Sequence, residues 1–557
     1  MHIPHLFLDQ LPVEIIFDIF TYLTTIEILH SFYSFSRYLR QCIRSYQQYK
    51  INFTSISKNE FDRICNVIRP DQMMALALSD DEETPGQVTS FFARFPRFEQ
   101  TFTRLEYLYI RNFQEFPSLS HMTSLHTIAI DFIRWPIYSF EYAHIQQFDD
   151  KLATICRLPT LRALVLNKKS LNIRLNFNTF FIGEHLNKFQ IHLRTIDNLP
   201  FIFKCVPNIQ RLTISLNTTS VDNDFSSRFN VPHSLTHLTI KVSFGLRNEI
   251  QHIIQSCFNL MYLNIHIERN QTDTYQWLDG NWWQSLIDEF LPQLKMFRLR
   301  IDLNSSLDLS VTKDLLKSFQ TTFWTNNEGR YRSFIIGVMS AFDTLPIDCK
   351  QQIISNKTLC INLSSDDSPI LPENRASNVE LLTLEHATPT NEYYTVSNLI
   401  ELERYINNLS TLVHLKLDDT CAMTSSVLTQ LLNIAPRLTR LTISSFHNHM
   451  RRLFDLTYPQ IRWLDMRRGY LPGKSRTTFC SVFPCLKHLL NCYLYSEEDF
   501  EVLIENLQFL QNLTVHIQTY YFDSNDELKQ WLMRHTHLKN FTFKLINERQ
   551  ILLWIGR

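Results

Sequence analysis

Glycine is scarce in this chain. Only nine occur among 557 residues, widely spaced, so the glycine-rich turn of a dinucleotide site is absent. No stretch approaches the ~18 uncharged apolar residues of a membrane-crossing helix, because polar residues recur every few positions. Met1 to Gln10 lack the basic start and apolar run of a secretory leader, so the sequence predicts a protein that is neither exported nor embedded in a membrane. Charge of one sign is not in excess either. Lys and Arg number 54 against 55 Asp and Glu, and a formal net charge of -1 argues against wholesale attraction to nucleic acid or an anionic bilayer. Eleven cysteines without a leader predict reduced thiols and a cytoplasmic or nuclear location. What remains is ordinary folded-protein material, 44% hydrophobic and 13% aromatic. The length exceeds what one compact core absorbs, which leaves several domains or an elongated repeat.

Self-similarity decides between them. The pattern apolar-x-x-apolar-x-apolar begins at Leu105, Leu125, Leu161, Leu186, Ile209, Leu235, Leu260 and Leu294. It returns at Val379, Leu412, Leu438, Ile461, Leu486, Leu510 and Leu538, with weaker copies at Met73, Tyr331 and Asn356. Its fourth and sixth positions alternate with polar ones, as a strand with one inward side requires. Pro159, Pro207, Pro292, Pro436, Pro459 and Pro484 stand two residues before a copy, where helix-like spacing must give way to extended backbone. Units this short bury their apolar sides only by stacking.

The pattern resembles the leucine-rich-repeat family, particularly the proline-marked repeats behind F-boxes. The resemblance implies an α/β fold: a curved solenoid with a parallel sheet on its concave face. The family's asparagine or cysteine ladder is mostly replaced, by Phe113, Ile133, Lys169, Ser243, Thr420 and Gly469. Residues 49–300 read as a first arc, 301–378 as irregular repeats or a break, and 379–557 as a second arc with a C-terminal cap.

Residues 6–48 differ from the repeats. A helix opening at Leu11-Pro12-Val13-Glu14 is followed by a capping box, Thr24 with Glu27, and by a third helical stretch containing Tyr38, Leu39 and Ile43. Leu11, Pro12, Glu14, Ile15, Ile19, Phe20, Tyr22 and Leu23 resemble the hallmark of the F-box family, and Leu29 fits its second helix. Thr24-Thr25 replaces the family's frequent aspartate-proline, and Tyr38 its late tryptophan. The resemblance implies docking on a Skp-type adaptor, and through it on a cullin, by Leu11, Pro12, Glu14, Ile15, Ile19, Phe20, Leu23 and Leu29. The alternative is a cap that only closes the first repeat. A second capping box, Ser57 with Glu60, opens a helix striped by Phe61, Ile64, Cys65 and Ile68 that would join module to repeats.

Catalytic constellations are not evident. Gly469 to Ser475 imitates a phosphate loop but is one residue short and contains Pro472, so it reads as an inter-repeat loop. Cys480, Cys485, His488 and Cys492 can be drawn as a zinc set, yet core packing suits them better. The expectation is therefore no enzyme, no metal and no cofactor. The third, fifth and seventh positions of each copy should face outward. Ten are basic (Arg111, Lys188, Arg211, Lys241, Arg298, Arg300, Lys416, Arg440, Arg467 and Lys544) and four acidic (Asp131, Glu385, Asp418 and Asp465). Such a wall suits an acidic or phosphorylated protein, with Tyr107, Tyr109, Tyr262 and Trp463 as anchors and Arg298, Arg300, Trp463 and Arg467 as a candidate centre. The competing reading is a solvated face that binds nothing. The whole reads as a substrate receptor of an SCF-type ubiquitin ligase, or else as a repeat scaffold uncoupled from ubiquitination.

Overall fold

The computed structural model describes residues 8–112, 117–132, 152–168, 183–193, 196–216, 230–243, 247–267, 277–301, 317–325, 358–362, 379–385, 394–396, 399, 406, 408–417, 421–443, 457–471, 476–518, 522, 524–547 and 549–556. Phe113, Ile133, Lys169, Thr420, the weak copy at Tyr331 and Pro472 to Ser475 lie outside them. The chain divides into two compact units.

The first unit is built on a ten-stranded sheet whose strands follow chain order: β1 (Tyr49–Asn52), β2 (Met73–Ser79), β3 (Tyr107–Arg111), β4 (Thr127–Phe132), β5 (Ala163–Lys168), β6 (Lys188–Leu193), β7 (Arg211–Leu216), β8 (His237–Val242), β9 (Tyr262–Ile267) and β10 (Met296–Ile301). Every neighbouring pair is parallel, and from β2 to β10 one register runs across the sheet. Leu76, Leu108, Ile128, Leu164, Phe189, Leu212, Leu238, Leu263 and Phe297 pair in sequence, all buried. These are the fourth positions of the sequence pattern. Helices such as Arg247–Gln255 and Gly280–Phe290 return the chain between strands, burying Ile250, Ile253 and Ile254 in one and Trp283, Leu286 and Ile287 in the other. Behind the second, the backbone N–H groups of Lys295 and Met296 both donate to the Met261 carbonyl, so the segment beyond Pro292 enters the sheet. This is a mixed α/β repeat array, leucine-rich-repeat-like in its strand order.

Three short helices precede the sheet: α1 (Val13–Thr21), α2 (Thr25–Phe32) and α3 (Arg37–Ser45). Thr24 and Glu27 form the reciprocal capping box and Ser36 caps α3, which together satisfy amides that such short helices leave open. Phe20 packs on Phe32 and Tyr46, with ring centroids 5.4 and 5.5 Å away. Tyr38 donates its hydroxyl to the Leu11 carbonyl at 2.8 Å, tying α3 to the start of α1. The module is fixed to the sheet by a buried side chain, Gln72. Its Nε2 donates to the carbonyls of Arg44 at 2.8 Å and Tyr46 at 2.7 Å, where α3 runs into β1, and its Oε1 accepts from the Arg69 amide. Arg63 reaches the Leu29 carbonyl, and Thr25 that of Lys50.

The second unit carries a nine-stranded sheet. Its parallel part comprises β11 (Thr358–Asn362), β12 (Leu381–Glu385), β14 (His414–Leu417), β16 (Arg440–Ile443), β17 (Trp463–Tyr470), β18 (His488–Leu494) and β19 (Asn512–Ile517), while β13 (Tyr394–Val396) and β15 (Cys421–Met423) pair separately. The copy at Leu538 departs from expectation. It does not add a parallel strand: β20 (Asn540–Asn547) pairs antiparallel with β21 (Gln550–Gly556), and β21, not β20, lies against β19. Asn547 and Gln550 pair across the turn, so the chain reverses too tightly for a returning helix. Residues 54–62 and 80–87 also belong to this unit. Phe61 packs edge-on against Trp554 at 5.3 Å, Asn540 donates to Asp62, and Thr542 donates to the Pro85 carbonyl. Gly86, at φ 73°, lies where a Cβ would come within 3.1 Å of the Phe543 carbonyl oxygen, so the edge strand β20 is covered closely by backbone.

Replacing Gln72 by Ala leaves buried carbonyls without their donor and should lower stability by about 1–3 kcal/mol. Chemical denaturation measures this, and a change below about 0.5 kcal/mol would show that the module is held by packing alone.

Candidate protein-interaction surfaces

On α1 the apolar residues divide between two sides. Ile16 and Phe20 are buried, whereas Ile15 is 44% and Tyr22 89% exposed, with the partly exposed Ile19 between them on one stripe. Pro12 and Glu14 are exposed, and Leu11 and Leu23 half-buried. Phe20 and Leu29, each 1% exposed, differ from the other expected contact residues: their side chains serve the interior of the module, and a partner cannot reach them. Their alternation with exposed apolar neighbours gave no sign of which side was which until the three helices were packed.

The outward face of the first sheet follows the predicted register. Tyr107, Tyr109 and Arg111 on β3 point away from the buried Leu108 and Ile110. Tyr109 donates its hydroxyl to Asp131 at 3.1 Å, and Arg111 Nε lies 3.9 Å from the same carboxylate. Burial and the Asp131 charge push the Tyr109 hydroxyl pKa up, so it remains a donor. Asp131 is thereby engaged with its own neighbours. Lys188, Arg211, Lys241, Arg298 and Arg300 are all exposed, on β6, β7, β8 and β10. His237 stacks on Tyr262 at 4.1 Å, a pairing that cross-strand register creates and sequence spacing did not reveal.

On the second sheet the candidate centre is only partly assembled. The Arg440 guanidinium lies 4.8 Å from the Trp463 ring, Trp463 stacks on His488 at 4.7 Å, and Asn512 Nδ2 meets His488 Nδ1 at 2.9 Å. These four occupy successive registered positions on β16 to β19. Arg467 lies on β17, but its side chain is outside the described residues, as are those of Glu385 and Asp418. Two expected outward residues are covered. Lys544 lies on the side of β20 away from the core that Phe541, Phe543 and Leu545 face, but it is half-buried beside residues 80–87, with its pKa lowered by desolvation against the support of Asp80 and Asp81. Asp465 is 8% exposed and accepts a hydrogen bond from Asn491, whose φ of 52° marks the bulge that shifts β18 by one residue. Gly469 is part of β17 and pairs with Cys492, so the glycine loop imitated by the sequence does not begin there.

Lys487, His488, Gln511 and Asn512 also line a polar cavity of ≈ 310 Å³ with Ser55, Ser57, Glu60 and Glu83. The thiols of Cys480 and Cys492 are buried, and burial pushes that of Cys480 up to about 12, which disfavours the thiolate a metal needs. Among the described residues no group of three metal-binding side chains is present, and no helix is long and apolar enough to cross a membrane.

No family model matches the chain, and no curated protein matches it. Among solved structures, a leucine-rich-repeat protein of Leptospira interrogans is similar at 13% identity and a TM-score of 0.21, over 80% of this chain and 98% of that one. At that score the likeness carries no weight of its own, and the repeat-array assignment rests on the strand order.

Burial, with Arg440 and Lys487 nearby, pushes the His488 pKa down to about 4. The folded state therefore binds fewer protons than the unfolded chain between that value and the usual histidine range. The stability contributed by neutral His488 is complete above about pH 6.5 and falls as pH drops toward 4, by roughly thirtyfold in the folding equilibrium at pH 5. NMR titration of the imidazole, together with unfolding of wild type and His488→Gln at pH 7 and 5, checks this. A midpoint near 6.5 would contradict the burial described.

Proposed function

We propose that this chain is a non-catalytic substrate-recognition adaptor of an SCF-type ubiquitin ligase. Its N-terminal module docks on a Skp-type adaptor and thereby on a cullin, and its strand faces bind a target protein. The observation that carries the docking half is the outer stripe of α1. Ile15, Ile19 and Tyr22 lie opposite the buried Ile16 and Phe20, so the fold leaves them open although it gains nothing from exposing them. Together with Leu11, Pro12 and Leu23, they form a surface that a helical partner could bury. The receptor half is supported by outward strand residues that are basic and polar, suited to an acidic or phosphorylated target.

A second reading, a repeat scaffold uncoupled from ubiquitination, is favoured by Gln72 and Arg63, whose bonds make the module an end cap of the first sheet. A pulldown separates the two. Tagged full-length protein should retain a Skp-type adaptor and a cullin, and Ile15→Glu with Tyr22→Glu should lose both while its circular dichroism is unchanged. Retention by that variant contradicts docking through α1. Failure of the wild type to retain either partner establishes the scaffold reading instead.

A further inference from the structure

We infer that the outward face of β6 to β10 binds an extended peptide segment that carries two phosphates about five residues apart. This rests on the receptor reading above and names the chemistry of its target.

Three outward positions on each of these five strands are placed by the register, fifteen in all. Five are Lys or Arg, none is Asp or Glu, and the interior of the face is polar and uncharged, with Gln190, Thr213, Thr239 and Asn264 in one registered row. Lys188 and Arg211 are direct register partners, both exposed, and neither side chain forms a hydrogen bond or ion pair among the described residues. Like charges set directly opposite destabilise a sheet. An anion between them reverses that sign, because both donors then serve one acceptor. The second cluster is Arg298 and Arg300 on β10, while Lys241 stands between the clusters on β8.

The neutral row from Gln190 to Asn264 thus has Lys188 and Arg211 by one end and Arg298 and Arg300 at the other, with Lys241 on β8 beside it. From between β6 and β7 to β10 is three and a half strand spacings, about 17 Å at ~4.8 Å each, which an extended chain spans in about five residues at ~3.3 Å per residue. The intervening amide and hydroxyl side chains can meet the backbone of such a segment. A single-stranded nucleic acid fits less well. Its bases need open rings, and Tyr262 is already stacked on His237. Its phosphates would also call for a continuous row of cations, whereas the row from Gln190 to Asn264 is neutral.

Fluorescence anisotropy with the full chain tests this, using labelled twelve-residue peptides that carry two phosphoserines five apart, two phosphoserines two apart, one, or none, and a twelve-residue oligouridine. The widely spaced peptide should bind at least tenfold more tightly than the others. Lys188→Glu with Arg211→Glu should reduce it to the level of the singly phosphorylated peptide, whereas the exposed Lys50→Glu on β1 should change nothing. Indifference to phosphate, equal binding at the shorter spacing, tighter binding of oligouridine, or an unaffected charge-reversed pair would each overturn the inference. The α1 double variant should bind the peptide as wild type does, so loss of ligase docking and loss of peptide binding are read separately.

Discussion

One constraint organises the rest of this molecule: the shared register of the parallel strands. Side chains alternate along a strand with a period of two, so a slip of one residue would turn every buried leucine outward and every outward cation inward. The paired row from Leu76 to Phe297 runs through nine strands without a register break, each residue stacked on the equivalent one of its neighbour. No single repeat could bury that row alone. The same registration that forms the core also fixes which residues meet on the open face, bringing Lys188 beside Arg211 and His237 beside Tyr262.

The N-terminal helices depend on this frame in turn. A three-helix module of this size is marginal by itself, and here α3 leads into the first strand while Gln72, at the start of the second, holds the junction. The outer stripe of α1 and the basic strip of β6 to β10 therefore belong to the same compact unit. For the proposed receptor this matters, because a ligase must hold its target at a defined distance from the enzyme it recruits. A flexible joint would blur that distance, and buried hydrogen bonds at the junction oppose one.

Much of this was legible in the sequence. The fourth and sixth positions of each copy announced buried strand residues, and Thr24 with Glu27 announced a helix start, because both signals are local. What escaped was non-local. Lys544 does lie on the side of β20 away from the core, but residues 80–87, more than 450 positions earlier, come over that side. Asp465 reads as a wall acid until the bulge at Asn491 draws it into a hydrogen bond. Phe61 and Gly86 look like parts of an early repeat, yet they pack with Trp554 and Phe543. The stacked pairs, and the burial that depresses His488, arise only when strands about 25 residues apart in the chain become neighbours.

Register is therefore the property to measure. Thr213 and Thr239 are outward partners on β7 and β8, and Thr213 and Ile240 point to opposite sides of the sheet. Parallel neighbours lie close enough for a disulfide. The chain with Thr213→Cys and Thr239→Cys should cross-link rapidly under mild oxidation, seen as a thiol loss and a mobility shift, whereas Thr213→Cys with Ile240→Cys should not. Cross-linking of the second pair and not the first would place the strands one residue out of register and contradict both the core and the basic face described.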